Sequence, residues 1–395
     1  MDPRIAALLA GNLMTTMGML MLTGMANELS DDLHLPVAAL GPLLAVAPLV
    51  LALGAPLLAM STSHFSRRSL LVWAMLISAA SHLLAAISGS MTMLVIARGL
   101  TGLGTAVFSP QAAATAMQLV PAAQRGRVVS LIFIGFAAAH TIGLPLSTWL
   151  AGAIGWRSTV AGVGVVSLAI SLWLRSVIPS GLPAAPLERS AWGEFIRHPV
   201  MVATIVVTAL QVGAQFVLYS FIAPSARESL GASPALIGLL FASLGIGGIL
   251  GNAITSRIAD RIGPVRTTAY AIIAMLIAML LWPYARGSAT IAIIAMAIWG
   301  LGSFPAASGQ QVRLVGLNMK LATVSLAVNT SGTYAGSAMG TMIGSGLLAS
   351  FGYASLSWGA SAVFVLALAL HWASTRRAFD PDPKRGAPTQ GPGAN

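Results

Sequence analysis

Along the whole chain, long runs of apolar residues alternate with short polar breaks. The runs cover residues 5–27, 38–60, 69–89, 92–119, 128–154, 158–178, 200–222, 235–257, 268–286, 288–312, 321–346 and 353–374. Each approaches or exceeds the ~20 apolar residues that one helical membrane crossing requires. None keeps the alternating polarity over ~10 residues that marks a membrane β-strand. Gly and Ala recur within them, as they do where helices pack closely in lipid. The pattern predicts an all-α membrane protein with twelve transmembrane helices. The first run follows Arg4 but exceeds the ~7–15 residues of a signal-peptide core, so it reads as an uncleaved first helix.

Composition agrees. Of 395 residues, 56% are hydrophobic and only 8% charged, with a mean hydropathy of +0.84. A soluble domain carries ~25% charged residues. An ordinary soluble enzyme, a nucleic-acid-binding protein and a disordered chain are therefore excluded. Cysteine is absent, which rules out disulfides, thiolate metal sites and a cysteine nucleophile. The six histidines are scattered, and no phosphate-binding Gly-rich loop is present. Neither a metal nor a cofactor is expected, and an enzyme is not.

The net charge of +11 has a different origin from nucleic-acid binding. Seventeen of the 21 Lys and Arg fall on alternate breaks that share a side with the termini; only Arg98, Arg157, Arg227 and Arg286 do not. Positive residues stay on the cytoplasmic side, so both termini are expected in the cytoplasm of a bacterial inner (plasma) membrane.

The longest internal break holds Pro179, Pro183 and Pro186, then a charged amphipathic piece from Glu188 to His198. Six runs lie on each side. An offset of 197 residues maps Gly54 onto Gly251, Gly135 onto Gly332 and Gly143 onto Gly340. These features predict two pseudo-symmetric six-helix bundles, 1–178 and 200–374, with a cytoplasmic linker over 179–199. Residues 375–395, rich in Pro, Gly and charge, are expected to be a disordered cytoplasmic tail. Such an architecture places a solute site near the bilayer midplane between the halves.

Three stretches carry more specific signals. After the eighth run the chain reads Ser256-Arg-Ile-Ala-Asp260-Arg261-Ile-Gly263; its counterpart in the first half reads Ser63-His-Phe-Ser-Arg67-Arg68. The fourth run holds Arg98-Gly-Leu-Thr-Gly102. A charge inside a span is costly and is either functional or snorkels to the interface. The fifth run reads Gly135-Phe-Ala-Ala-Ala-His140-Thr-Ile-Gly143-Leu-Pro145 and closes with Gly155-Trp156-Arg157. Pro145 frees a backbone carbonyl and bends the helix. Gly332, Gly336, Gly340 and Gly344 make a packing stripe in the eleventh run.

On these residues the chain resembles the major facilitator superfamily, whose loops 2–3 and 8–9 carry Gly-x-x-x-Asp-Arg-x-Gly-Arg. Asp260, Arg261 and Gly263 match, while Ser256 replaces the first Gly and Ser63 stands where the first half would have Asp. The carboxylate latch is absent on that side and only Arg67 and Arg68 remain. The fifth run is similar to the helix-5 signature of the drug/proton antiporter branch, which includes arabinose-type sugar, purine nucleoside and chloramphenicol exporters.

The resemblance implies that helices 1, 4, 7 and 10 line the solute cavity. Their polar residues include Asn12, Gln111, Gln211, Gln215, Tyr219 and Gln310. Amides and a phenol both donate and accept, which suits a neutral polar or amphipathic solute. Related exporters carry an acid midway along helix 1, where this chain has Met19. The proton-coupling candidates are therefore His140 in helix 5, Glu28 at the end of helix 1, and Arg98 as a fixed charge.

The expected function is a secondary transporter that exports a sugar, nucleoside or drug by alternating access, with proton coupling left open. Its expected partners are the solute and the bilayer, and a monomer is expected. Rival readings are an uptake carrier or facilitator and a non-transporting membrane sensor.

Overall fold

The computed structural model describes residues 2–61, 65–182 and 189–378. Ser63, Pro183, Pro186, Glu188 and the tail from residue 379 lie outside the described residues, as does the side chain of Asp260.

Twelve long helices follow the apolar runs. They are α1 (Pro3–Gly24), α2 (Gly41–Ser61), α3 (Arg67–Ala86), α4 (Met91–Gln118), α5 (Arg125–Ala138 continuing through Leu144–Ile154) and α6 (Trp156–Val177). After a short helix at Arg189–Ile196 in the linker come α7 (Pro199–Tyr219), α8 (Pro234–Ile258), α9 (Arg261–Ala285), α10 (Ala289–Leu317), α11 (Ala322–Phe351) and α12 (Ala354–Ala378). Helical hydrogen bonding runs on from α8 into the first turn of α9, where Gly263, with a φ of 76°, turns the chain back. α12 continues to Ala378, so the expected tail begins a few residues later than residue 375.

Local chemistry sets the helix starts. Ser66, Ser90, Ser233 and Ser288 each accept a hydrogen bond from the backbone N–H three residues on, at 3.2–3.4 Å. Pro3, Pro199 and Pro234 occupy first turns, where no N–H is needed.

Eleven of the helices are long and apolar enough to cross a membrane. The twelfth, α11, has 30 residues, a length of about 45 Å, but is rich in Ser, Thr and Gly. Several of its polar groups tie it to other helices or loops. Asn329 Oδ1 accepts from Thr208 at 2.9 Å, the Thr341 and Ser220 hydroxyls meet at 2.7 Å, and Ser345 donates to the Ala38 carbonyl at 2.7 Å. Large apolar side chains such as Leu53, Trp73, Leu172 and Leu366 instead stand exposed on the outer surface, as lipid contact requires.

The duplication is visible in the backbone. Two short helices that the apolar pattern did not separate, Ala26–Leu33 and Ile222–Leu230, follow α1 and α7. Both end in left-handed residues, His34 (φ 54°) and Gly231 (φ 60°), which are 197 positions apart. Glycines pack equivalent helix pairs: Gly135 sets α5 against Leu9 and Leu13 of α1, and Gly332 sets α11 against Ile205 of α7.

The halves meet along α2–α11 and α5–α8. Gly41 packs on Ser345, Thr141 on Gly245, the Pro145 carbonyl on Gly238, and Gly152 on Pro234. All of these lie between the middle of the spans and the end that carries Glu28, Asp31, Asp32 and Glu228, here called the acidic end. At the opposite, basic end, Met117, Arg125, Arg127, Gln311 and Val312 are exposed.

Candidate functional site

α7 carries Gln211, Gln215 and Tyr219 at four-residue spacing, hence on one face. α10 brings Trp299 and Ser303 to meet them. Gln215 Oε1 accepts from Trp299 Nε1 at 3.1 Å and from Ser303 Oγ at 2.8 Å; its Nε2 donates to the Gln211 carbonyl at 3.3 Å. The Tyr219 ring lies 5.1, 5.6 and 6.0 Å from those of Phe216, Phe241 and Trp299. Two buried polar atoms are left over: Gln211 Oε1 and the Tyr219 hydroxyl have no partner among the described residues. An unsatisfied buried polar atom costs about 1–3 kcal/mol. Both stand on the face of α7 that carries Gln215.

The other predicted cavity residues are placed differently. Asn12 donates to the Ile132 carbonyl at 2.9 Å and accepts from Ser109 at 3.0 Å, tying α1 to α5 and α4. Gln111 accepts from Arg67 at 2.8 Å. Gln310 is fully buried and donates to the Thr204 carbonyl at 3.2 Å, with Oε1 unpartnered. The six therefore do not form one cluster: Gln211, Gln215 and Tyr219 come together, while Asn12, Gln111 and Gln310 hold helices to one another.

Arg98 does not snorkel. It is 3% exposed and donates to the carbonyls of Gly18 and Met19 in α1, both at 2.9 Å. The position where the resemblance places an acid thus offers the arginine a backbone oxygen. His82 of α3, which the sequence reading did not single out, packs on the same segment: a Cβ at Gly18 would collide with its ring. His82 Nδ1–H donates to the Ser78 carbonyl. α1 is consequently clamped at Gly18–Met19 from two neighbouring helices.

His140 sits in a π-turn, Ala139–Gly143, inside α5. Pro145 has no N–H to offer the Thr141 carbonyl, and the turn just before it widens. His140 Nδ1–H donates to the Phe136 carbonyl at 3.0 Å, leaving Nε2 as the acceptor. Its ring lies 4.5 Å from Phe136 and 5.9 Å from Phe304 of α10. His140 therefore meets the second half at Phe304, the residue that follows Ser303 in α10.

At the acidic end, Arg227 donates to Asp31 at 2.6 Å, an ion pair between the halves. Arg157 pairs with Asp32 within the first half and also donates to the Ser88 carbonyl at 3.0 Å. Glu28 lies beneath them, with Oε2 buried and unpartnered. Burial pushes its carboxyl above the usual carboxylate range; a backbone N–H and Arg227 pull the other way, and Asp31 adds a further upward push.

Two of the motif glycines lie at close contacts between helices. Gly102 lets α4 rest on the Ala47 backbone of α2, and Gly143 faces Met17 at 3.3 Å. Of the Gly-x-x-x-Gly-x-Pro signature of helix 5 in the antiporter branch, Gly143 and Pro145 match and Ala139 stands at the first glycine. Arg67 is buried, Arg68 half-buried and Arg261 exposed. Among the described residues no group of three or more His, Cys, Asp or Glu comes together to hold a metal ion.

Comparison with known proteins agrees with this geometry. The chain is 29% identical over 358 residues to the inner membrane transport protein YdhP of Escherichia coli O157:H7, covering 90% of this chain and 91% of the relative. The K12 strain's YdhP is 28% identical with the same coverage. Among solved structures, a bacterial homolog of the human lysosomal transporter Spinster superposes with a TM-score of 0.74 at 17% identity, over 94% of this chain and 96% of that one. The D-xylose–proton symporter gives 0.73 at 18%, over 94% and 97%. Both likenesses concern the fold. Residues 8–324 match the model of the Major Facilitator Superfamily, and the chain therefore belongs to that family.

Proposed function

We propose that the protein is a secondary transporter that exports a small uncharged or amphipathic solute, such as a sugar, nucleoside or drug, by alternating access. The observation that carries this reading is the Gln211–Gln215–Tyr219 face with two unpartnered acceptors, set beside Trp299 and Ser303. It belongs to the second half, and the contacts named between the halves fall from mid-span to the acidic end. With the basic end in the cytoplasm, this is an inward-facing arrangement, and the family's rocking motion exposes the same face to the other side.

No described carboxylate lies deep in a span, so the face suits hydrogen-bonding neutral groups better than a fixed cation. The helix-5 signature, with its π-turn and close α5–α8 approach, favours export, and the YdhP name favours the inner membrane. His140, at the join of the halves, is the candidate mid-span proton site; Arg98, held on two carbonyls, is a brace. The halves are residues 1–178 and 200–374, joined by a cytoplasmic linker.

The test is flux of neutral, cationic and anionic solutes in proteoliposomes of both orientations, with and without a pH gradient. Gradient-driven efflux of a neutral solute that is lost in Gln215→Leu is the expected result. Net uptake instead, or binding without any flux, would overturn the reading.

A further inference from the structure

The acidic end is the gate of the alternating-access reading, where the short helix Ala26–Leu33 of the first half meets Ile222–Leu230 of the second. The two halves finish this end differently. In the first, Arg157 knots three segments together. It pairs with Asp32, donates to the Ser88 carbonyl at 3.0 Å and lies 4.4 Å over the Trp156 ring.

The internal duplication identifies the counterparts of that knot. His34 and Gly231, and Gly155 and Gly352, all have positive φ and are 197 positions apart in each pair. The serine caps of α4 and α10, Ser90 and Ser288, are 198 apart. On this register Asp32 corresponds to Ser229, Ser88 to Arg286, Trp156 to Tyr353 and Arg157 to Ala354. All four second-half residues line one recess of about 180 Å³. Where the first half places a guanidinium, the second half has a methyl group and a cavity.

The frame of the recess is built. Trp282 Nε1 donates to Ser225 Oγ at 3.3 Å, and the Gly287 N–H donates to the Ser229 carbonyl at 3.3 Å, so the short helix holds the turn between α9 and α10. Glu228 and Arg286 line the same recess, yet neither joins an ion pair among the described residues. Arg227, the next cation along, is taken by Asp31. Opposite charges that share a recess without meeting suit a ligand that carries both. Just outside, Tyr284 and Trp358 are 70% and 57% exposed; such aromatic side chains sit at the level of lipid headgroups.

We infer that the recess binds a zwitterion in which a primary ammonium and a phosphate are two carbons apart, the phosphoethanolamine group. Its ammonium takes the place of the Arg157 guanidinium, beside Glu228 and over Tyr353, and its phosphate accepts from Arg286. The same group heads phosphatidylethanolamine and also exists free in water. Once bound, it ties the short helix, the α9–α10 turn and the start of α12 together, as Arg157 ties their counterparts. The recess lies past the end of α7, away from the Gln211–Gln215–Tyr219 face.

Two measurements on the full chain test this. Native mass spectrometry with equimolar phosphatidylethanolamine, phosphatidylglycerol and phosphatidylcholine reads the lipid source. Equilibrium dialysis of radiolabelled phosphoethanolamine against protein in detergent reads the soluble one. Phosphatidylethanolamine should be retained about tenfold or more over the other two, because glycerol has no charge for Glu228 and the methylated ammonium of choline cannot donate. Glu228→Gln and Arg286→Gln should each lower retention about tenfold. Ser229→Asp combined with Ala354→Arg rebuilds the first-half knot in the second half. That protein should bind neither form, and its unfolding temperature should equal that of the lipid-loaded wild type and stop responding to the lipid.

Binding in dialysis without lipid retention assigns the site to the free zwitterion. Equal retention of all three lipids without dialysis binding overturns the inference, and so does an absence of binding in both measurements. Retention that survives both Arg286→Gln and the Ser229→Asp, Ala354→Arg exchange overturns it as well. Arg286 is exposed, so its glutamine variant carries the test if the exchange does not fold.

Discussion

Two glycines of α11 should respond in opposite directions to the same substitution. At Gly340 an added Cβ would land on the carbonyl oxygen, carbonyl carbon and Cα of Gly213 in α7. All three are backbone atoms, so no side chain can swing aside and the helices must separate. Separation also loosens the neighbouring contacts of Gly336 on Ala209 and Gly344 on Val217. Overpacking of this kind costs about 1–3 kcal/mol. At Gly346, six residues on, nothing lies within 4 Å of the added carbon, and alanine removes glycine's conformational penalty of about 0.5–1 kcal/mol. Gly346→Ala should therefore match or exceed the wild type; the helical gain is common to both positions, so Gly340→Ala should lie below Gly346→Ala by the overpacking cost, about 1–3 kcal/mol. Intrinsic tryptophan fluorescence during thermal unfolding in detergent gives the ranking. A Gly340→Ala protein as stable as Gly346→Ala would refute the claim that α7 and α11 touch backbone to backbone.

Other substitutions test the site and the gate. Gln211→Leu removes an unsatisfied buried acceptor, so stability should hold or rise while the KM for solute rises about tenfold or more, as loss of one hydrogen-bonding partner implies; a parallel fall in both would refute the assignment. Arg227→Glu faces Asp31 and Glu28 with a third carboxylate and should shift the gate toward opening, with Asp31→Arg in the same chain restoring closure. The shift should shrink in high salt, read as the distance between spin labels at T92C and T290C, exposed residues in the first turns of α4 and α10. His34 is the one non-glycine with positive φ among the described residues; His34→Gly should stabilise by about 1 kcal/mol, measurable as a rise in unfolding temperature, whereas Gly231→Ala should lower it.

Helix number and order were legible because membrane spans announce themselves by length and apolarity. In the fifth helix Pro145 was read as freeing a backbone carbonyl, and a π-turn lies directly before it, although the helix begins three residues ahead of the apolar run. α11 was legible as a run although its Ser, Thr and Asn leave it less apolar than the others. The short helices at Ala26–Leu33 and Ile222–Leu230 were not separated, since at the end of an apolar run a change of helix axis leaves no mark in hydropathy. The cavity residues were read as a set because helix numbers alone do not say which face of a helix turns inward. Gln211, Gln215 and Tyr219 share a face, and their spacing of four was the available signal. Gln111 was claimed by Arg67 and Asn12 by Ile132 and Ser109, pairings between distant positions that no local pattern shows. Trp299, Ser303 and Phe304 were missed for the same reason, and His82 looked like one scattered histidine until Gly18 and Arg98 were seen beside it.

The polar character of α11 has a consequence for how the protein is made. A segment with so many hydroxyls and amides gains little by entering hydrocarbon alone, because those groups lose water before they find partners. Thr208 and Ser220 of α7 supply those partners, and α7 is synthesised more than a hundred residues earlier. α11 must therefore settle beside an already inserted α7, drawn in with the more greasy α12 that follows it. Biogenesis of the second half ends with the placement of its least lipid-soluble rod, and a break in the α7–α11 seam would strand that rod at the membrane surface, where quality-control proteases meet it.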